Sequence, residues 1–149
     1  MTKADLDTMA VERIADARVL LAGQRWAFAY YVSGYAVECA LKSCVLARMI
    51  HTGWVFDREV LTDAKPLKVS DIPARTHSFG TLVVLSGLRD KLTERLGDGT
   101  GFRLNWEVVS QWTEESRYLP KTQPQAEELF QAITQPTDGV LAWLTSFTT

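Results

Sequence analysis

The chain has 149 residues, 46% of them hydrophobic and 23% charged, with a formal net charge of −2. This size and apolar share suit one domain with its own core and exclude a disordered or low-complexity chain. The near-neutral balance excludes a global basic field that would draw in nucleic acid, and leaves a local basic patch open.

The first predicted helix runs from about Thr2 to Gly23. Thr2 with Asp5 three residues on reads as an N-terminal cap, and Asp5 and Asp7 suit the positive end of a helix. Leu6, Ala10, Ile14, Ala17 and Leu21 recur at helical spacing as one apolar stripe, flanked by Arg13 and Arg18. The segment has no basic-then-apolar pattern of a secretory signal.

The second helix is expected over Ala27–Arg48, a stretch with no proline and a single glycine, Gly34. It is apolar on more than one face: Tyr31, Gly34, Leu41 and Val45 on one, Val37, Ala40, Cys44 and Ala47 on another. Such a helix is a central one with neighbours on several sides. Gly34 costs about 1 kcal/mol against alanine in a helix interior and is tolerable where a neighbouring backbone packs close. Glu38 and Lys42 lie four apart with the acid first, the favourable order for a helical ion pair, and their charge excludes a membrane span. Cys39 and Cys44 sit five steps apart on the same helix, with Cα atoms about 8 Å apart by helical rise. They read as core residues that cannot pair, in a reducing, cytoplasmic compartment.

A long irregular stretch follows from His51 to Thr76, expected to hold a short element around Asp57–Leu61 or to be a mobile excursion, with Trp54 and Phe56 either pinning the loop to the bundle or forming an exposed contact patch. A third helix is expected over Ser78–Leu96 on Leu82, Leu85, Leu88, Leu92 and Leu96, ended by Gly97. The turn Gly97–Gly101 is not a phosphate loop, because no strand precedes it and no Gly-Lys-Ser/Thr ending follows. A fourth helix is expected over Arg103–Tyr118. A fifth starts near Gln125 and must kink or break at Pro136. The expectation is an all-α fold in a single domain, residues 1–149: an up-and-down antiparallel bundle of four to five helices with a long loop after the second.

The chain has two histidines, His51 and His77, and no Cys-x-x-Cys, His-x-x-x-His or Gly-x-Ser-x-Gly group. No metal site, cofactor or serine nucleophile is expected.

Several blocks carry a resemblance. Gly34-Tyr35-Ala36-Val37-Glu38-Cys39-Ala40-Leu41-Lys42 resembles the second helix of HEPN domains, a small all-helical family often found in prokaryotic toxin–antitoxin and defence systems. Glu12–Arg18 resembles that family's first helix, Thr76-His77-Ser78-Phe79 with Leu82 the start of its third, and Arg117-Tyr118 with Gly139–Leu144 its end. The resemblance implies a HEPN-like bundle, a homodimer and a nucleotidyltransferase-type protein partner. The aromatic cluster Trp26, Phe28, Tyr30, Tyr31 and Tyr35 also suits core and dimer interface.

Catalytic HEPN members resemble one another in an arginine followed, after four to six intervening residues, by a histidine. Here those positions are Cys44, Val45 and Leu46 before His51, and Ser70, Asp71 and Ile72 before His77. Arg117 stands where the motif is expected, without a following histidine. No catalytic residue is therefore assigned. The remaining polar set, Glu38, Lys42, His77, Arg117 and Tyr118, is the candidate ligand or phosphate site. It has two readings. One is structural: an internal Glu38–Arg117 salt bridge covered by Tyr118, with His77 a cap or core hydrogen-bonding residue. The other is a pocket for a nucleotide or RNA phosphate between helices two and four, with Arg117 and Lys42 as charge partners. The expected function is a non-catalytic or degenerate HEPN protein acting by binding. The alternatives are a divergent metal-independent ribonuclease toxin and a small nucleotide-binding protein.

Overall fold

The computed structural model describes residues 1–52, 68–72 and 75–149. Among them the chain forms seven α-helices and two short 3-10 helices, with no strand beyond an isolated bridge between Thr2 and Lys68. The helices are α1 (Lys3–Ala22), α2 (Trp26–Thr52), α3 (Phe79–Leu85), α4 (Arg89–Leu96), α5 (Phe102–Val109), α6 (Gln123–Thr134) and α7 (Val140–Thr145). The 3-10 turns are Val69–Asp71 and Glu114–Tyr118. The all-α class holds. The expected elements around Asp57–Leu61 and the anchors Trp54 and Phe56 lie outside the described residues.

α1 starts as its sequence predicts. The Thr2 side chain accepts from the Asp5 N–H, and the Asp5 carboxylate accepts in return from the Thr2 N–H at 2.8 Å. Leu6, Ala10, Ile14 and Ala17 are buried against α2. Ser43 on α2 donates to the Asp7 carboxylate, which Lys3 also bonds at 2.8 Å, so a polar tie joins the two helices beside the apolar seam.

α2 is the centre of the molecule and packs against α1, α3, α6, α7 and the Glu114–Tyr118 turn. Val37, Ala40, Leu41, Cys44, Val45 and Leu46 are buried on several faces. The glycine in this helix answers a side chain, not a backbone as expected: a methyl group at Gly34 would overlap the indole of Trp112. Cys39 and Cys44 are free and buried, and burial pushes their thiols up to about 11 and about 12 respectively, so both stay protonated and inert near neutral pH.

Three predicted boundaries move for identifiable reasons. The helix expected over Ser78–Leu96 is two helices, α3 and α4. Its leucine stripe continues across the break, with Leu82 and Leu88 buried. Arg48 of α2 donates to the carbonyls of Val84 and Leu85 at 3.3 and 3.1 Å, capping α3 from outside. Gly87 adopts a left-handed φ of 73° there, where a Cβ would stand 2.8 Å from Arg48 Nε. The helix expected over Arg103–Tyr118 ends at Val109. Trp112 turns inward and Thr113 is extended before the 3-10 turn begins. The last expected helix begins at Gln123, two residues early, because Thr122 caps it with Gln125 and Pro124 sits in its first turn. It breaks ahead of Pro136 as predicted, and α7 resumes with Val140 and Leu144 buried. The four to five expected helices are thus seven among the described residues.

Candidate functional site

The five candidate residues come from three separate parts of the chain: the middle of α2 (Glu38, Lys42), the residue ahead of the α3 cap (His77) and the 3-10 turn (Arg117, Tyr118). Glu38 is the root. Its side chain is 2% exposed, and a carboxylate there needs partners. Lys42, one turn on, bonds Oε2 at 3.1 Å, as the i,i+4 spacing predicts. His77 bonds Oε1 through Nδ1 at 2.9 Å.

The Glu38–Arg117 salt bridge is not formed. Both Glu38 oxygens already have partners, and Arg117 sits on the outer side of the 3-10 turn with its side chain 43% exposed. Its Nη1 lies 3.7 Å from Glu114 Oε1, and its guanidinium stacks over the Tyr118 ring, 4.7 Å from the centroid. Tyr118 is exposed and covers no buried pair. Capping of α3 falls to Ser78, whose hydroxyl accepts from the Thr81 N–H, so His77 serves as a hydrogen-bonding residue only.

A residue outside the predicted set completes the arrangement. Glu114 Oε2 lies 3.2 Å from His77 Nε2, while its Oε1 faces Arg117. The result is one continuous line, Lys42–Glu38–His77–Glu114–Arg117, running from the core to solvent. The i,i+3 spacing of Glu114 and Arg117 was the available sequence signal. Its link to His77 is a tertiary contact that spacing does not show. The two carboxylates lie at opposite nitrogens of one ring and do not converge. Among the described residues, no three of His, Cys, Asp or Glu are placed to hold a metal ion.

His77 and Glu114 also line a groove of about 810 Å³ whose apolar wall includes Phe79, Trp106 and Trp112. Phe79 and Trp112 stack at 5.0 Å, nearly parallel, and Trp112 continues to Tyr31 at 5.9 Å. Arg89 stands on the lining as well. The groove lies between the α3–α4 pair and α5 with the turn after it, and no residue of α2 lines it. The pocket expected between helices two and four is therefore displaced by one helix, because Trp112 fills the space against Gly34.

Among the described residues, no helix is long and apolar enough to cross a membrane. Compared with family models, with curated proteins and with solved structures, the chain matches none.

Proposed function

We propose that the chain is a HEPN-like cytoplasmic protein that acts by binding, as a homodimer, with RNA or a nucleotide as ligand and a nucleotidyltransferase-type protein as partner in a toxin–antitoxin or defence setting. The observation that carries the binding reading is the state of His77. Its Nδ1 is bonded to the buried Glu38 carboxylate at 2.9 Å, so the ring is fixed at the rim of the groove, and Glu114 stands 3.2 Å from Nε2 on the other side. A ring oriented from the core is a recognition element, and the aromatic wall beside it suits a base. Exposed Phe28, stacked on Tyr31 at 6.0 Å, is the aromatic face offered to a second copy.

The test is a gel-shift titration with single-stranded RNA together with sedimentation of the free protein. Retention of uncut RNA by a dimer is expected. A monomer with no affinity for RNA or for nucleotides defeats the reading.

One observation favours the second reading, a divergent metal-independent ribonuclease. The arginine and histidine that sequence spacing keeps apart meet in space on one carboxylate, that of Glu114. This reading requires RNA cleavage in chelator that is lost in Arg117→Ala.

A further inference from the structure

We infer that His77 and Arg117 form a phosphate-oxygen site that the carboxylate of Glu114 fills in the unliganded protein, so that Glu114 is a displaceable internal stand-in for the ligand. The inference rests on the binding reading above and names its ligand class: a phosphoryl group, free or in a nucleic-acid backbone. Glu114 turns its two oxygens toward two nitrogens, Oε2 toward His77 Nε2 at 3.2 Å and Oε1 toward Arg117 Nη1 at 3.7 Å. A phosphate offers two oxygens to the same pair, and guanidinium binds carboxylate and phosphate by the same fork.

The two carboxylates that flank His77 differ in what holds them. Glu38 is sealed in the core with Lys42 on its other oxygen, so it orients the ring and cannot leave. Glu114 is 34% exposed, and its two partners are 48% and 43% exposed. The 3.7 Å separation exceeds hydrogen-bond length, and exposed pairs of this kind are held weakly. Glu114 is therefore the member that can swing out.

Charge makes the exchange selective. Lys42 stands against Glu38 and Arg117 against Glu114, so a seated Glu114 carboxylate opposes an incoming anion at the Arg117 end. Once its carboxylate leaves, the Arg117 guanidinium, stacked on Tyr118, loses its anionic neighbour beside an oriented imidazole that lines a groove with an aromatic wall. A phosphate attached to a base satisfies both parts of this surface.

The two histidines, His51 on α2 and His77, give a direct reporter: the imidazole resonances of His77, assigned by a His51→Gln variant. Titrations with inorganic phosphate and with a ten-nucleotide single-stranded RNA are compared in wild type, Glu114→Gln and Glu114→Ala, with folding followed by circular dichroism. The expected result is a saturable shift of the His77 signals that is at least tenfold tighter in Glu114→Gln than in wild type, and its loss in Glu114→Gln/Arg117→Ala. Saturation by phosphate alone assigns a free phosphate, and saturation by the RNA assigns a backbone phosphodiester; either supports the site. Folded Glu114 variants that bind neither probe more tightly than wild type overturn the inference, as does tight binding that survives removal of Arg117. If wild type still retains RNA in a gel shift while the Glu114 variants gain nothing, the displaceable carboxylate is refuted and the binding reading stands. If no variant retains RNA or phosphate, both fall.

Discussion

Among the described residues, two of the networks of charged side chains are built differently. One centres on Arg95 at the end of α4. Its guanidinium bonds Asp98 at 2.5 Å, the Thr100 hydroxyl at 2.7 Å, the Thr137 carbonyl at 3.2 Å and Asp138 at 3.1 Å, and it lies over the Phe102 ring. Asp138 also accepts from the Gly101 N–H. Both terminal nitrogens are turned back onto the protein, and the clasp ties the glycine-rich turn to the α6–α7 connection. The other is the line from Glu38 to Arg117. It begins at a fully buried carboxylate and ends at an arginine and a tyrosine open to solvent. A closed network fixes geometry. An open one, rooted in the core and ending at exposed side chains, leaves its outer groups facing solvent, as the proposed binding role requires.

Substitutions along the two networks separate these roles. The largest effect is expected at the root of the open line. Glu38→Ala strands the largely buried Lys42 ammonium and is expected to cost about 3 kcal/mol, at the low end for breaking a buried pair, because half-exposed His77 can turn to water. Urea unfolding checks it. Gly34→Ala comes next, at about 2 kcal/mol, because the new methyl group drives into the Trp112 indole. That variant is expected to disturb the groove wall as well, read as a change in tryptophan fluorescence.

The closed clasp is expected to respond in stability alone. Arg95→Ala is expected to cost about 1–2 kcal/mol in urea unfolding, since a largely covered arginine loses several charge-assisted bonds. It also carries a pH signature. The Thr100 hydroxyl and then Arg95 hold the Asp98 carboxyl down to about 2. A carboxyl lowered by folding stabilises the folded state above its ordinary value and loses that contribution as pH falls through its folded one. The stability difference between wild type and Asp98→Asn is therefore expected to be flat above about pH 5 and to vanish between about pH 4 and 2. The smallest expected stability change is at the open end: Arg117→Ala is expected to leave the urea unfolding midpoint close to that of wild type, as for other exposed pairs.

The closed and open regions also differ in how far the sequence announces them. α1 and α2 are legible because cap, stripe and all-round apolarity act within one helix, and the Glu38–Lys42 pair is legible by the same local spacing. The division between α3 and α4 is not, because the group that ends α3 is Arg48, supplied by another helix. The end of α5 is equally hidden: Val109 is followed by a compatible helical pattern, and what stops it is the fit of Trp112 against Gly34. The candidate residues do lie along one line, but the sequence pairs them wrongly. Glu38 and Arg117 have opposite charge and invite a direct bridge, whereas His77 and Glu114 stand between them in space. Glu114 escapes notice because it is one of two adjacent glutamates in a short turn, where an acidic residue is usually just solvated.

The claim that the open line serves binding is tested most directly by one gel experiment. Wild type and Arg117→Ala, both shown to be folded, are incubated with a labelled mixed RNA pool in chelator and run under native and denaturing conditions. The prediction is retardation of intact RNA by wild type, with Arg117→Ala weakened at least tenfold. RNA cut by wild type and spared by the variant would contradict it and make His77 and Arg117 catalytic, and equal or absent retardation in both would leave the line a structural feature.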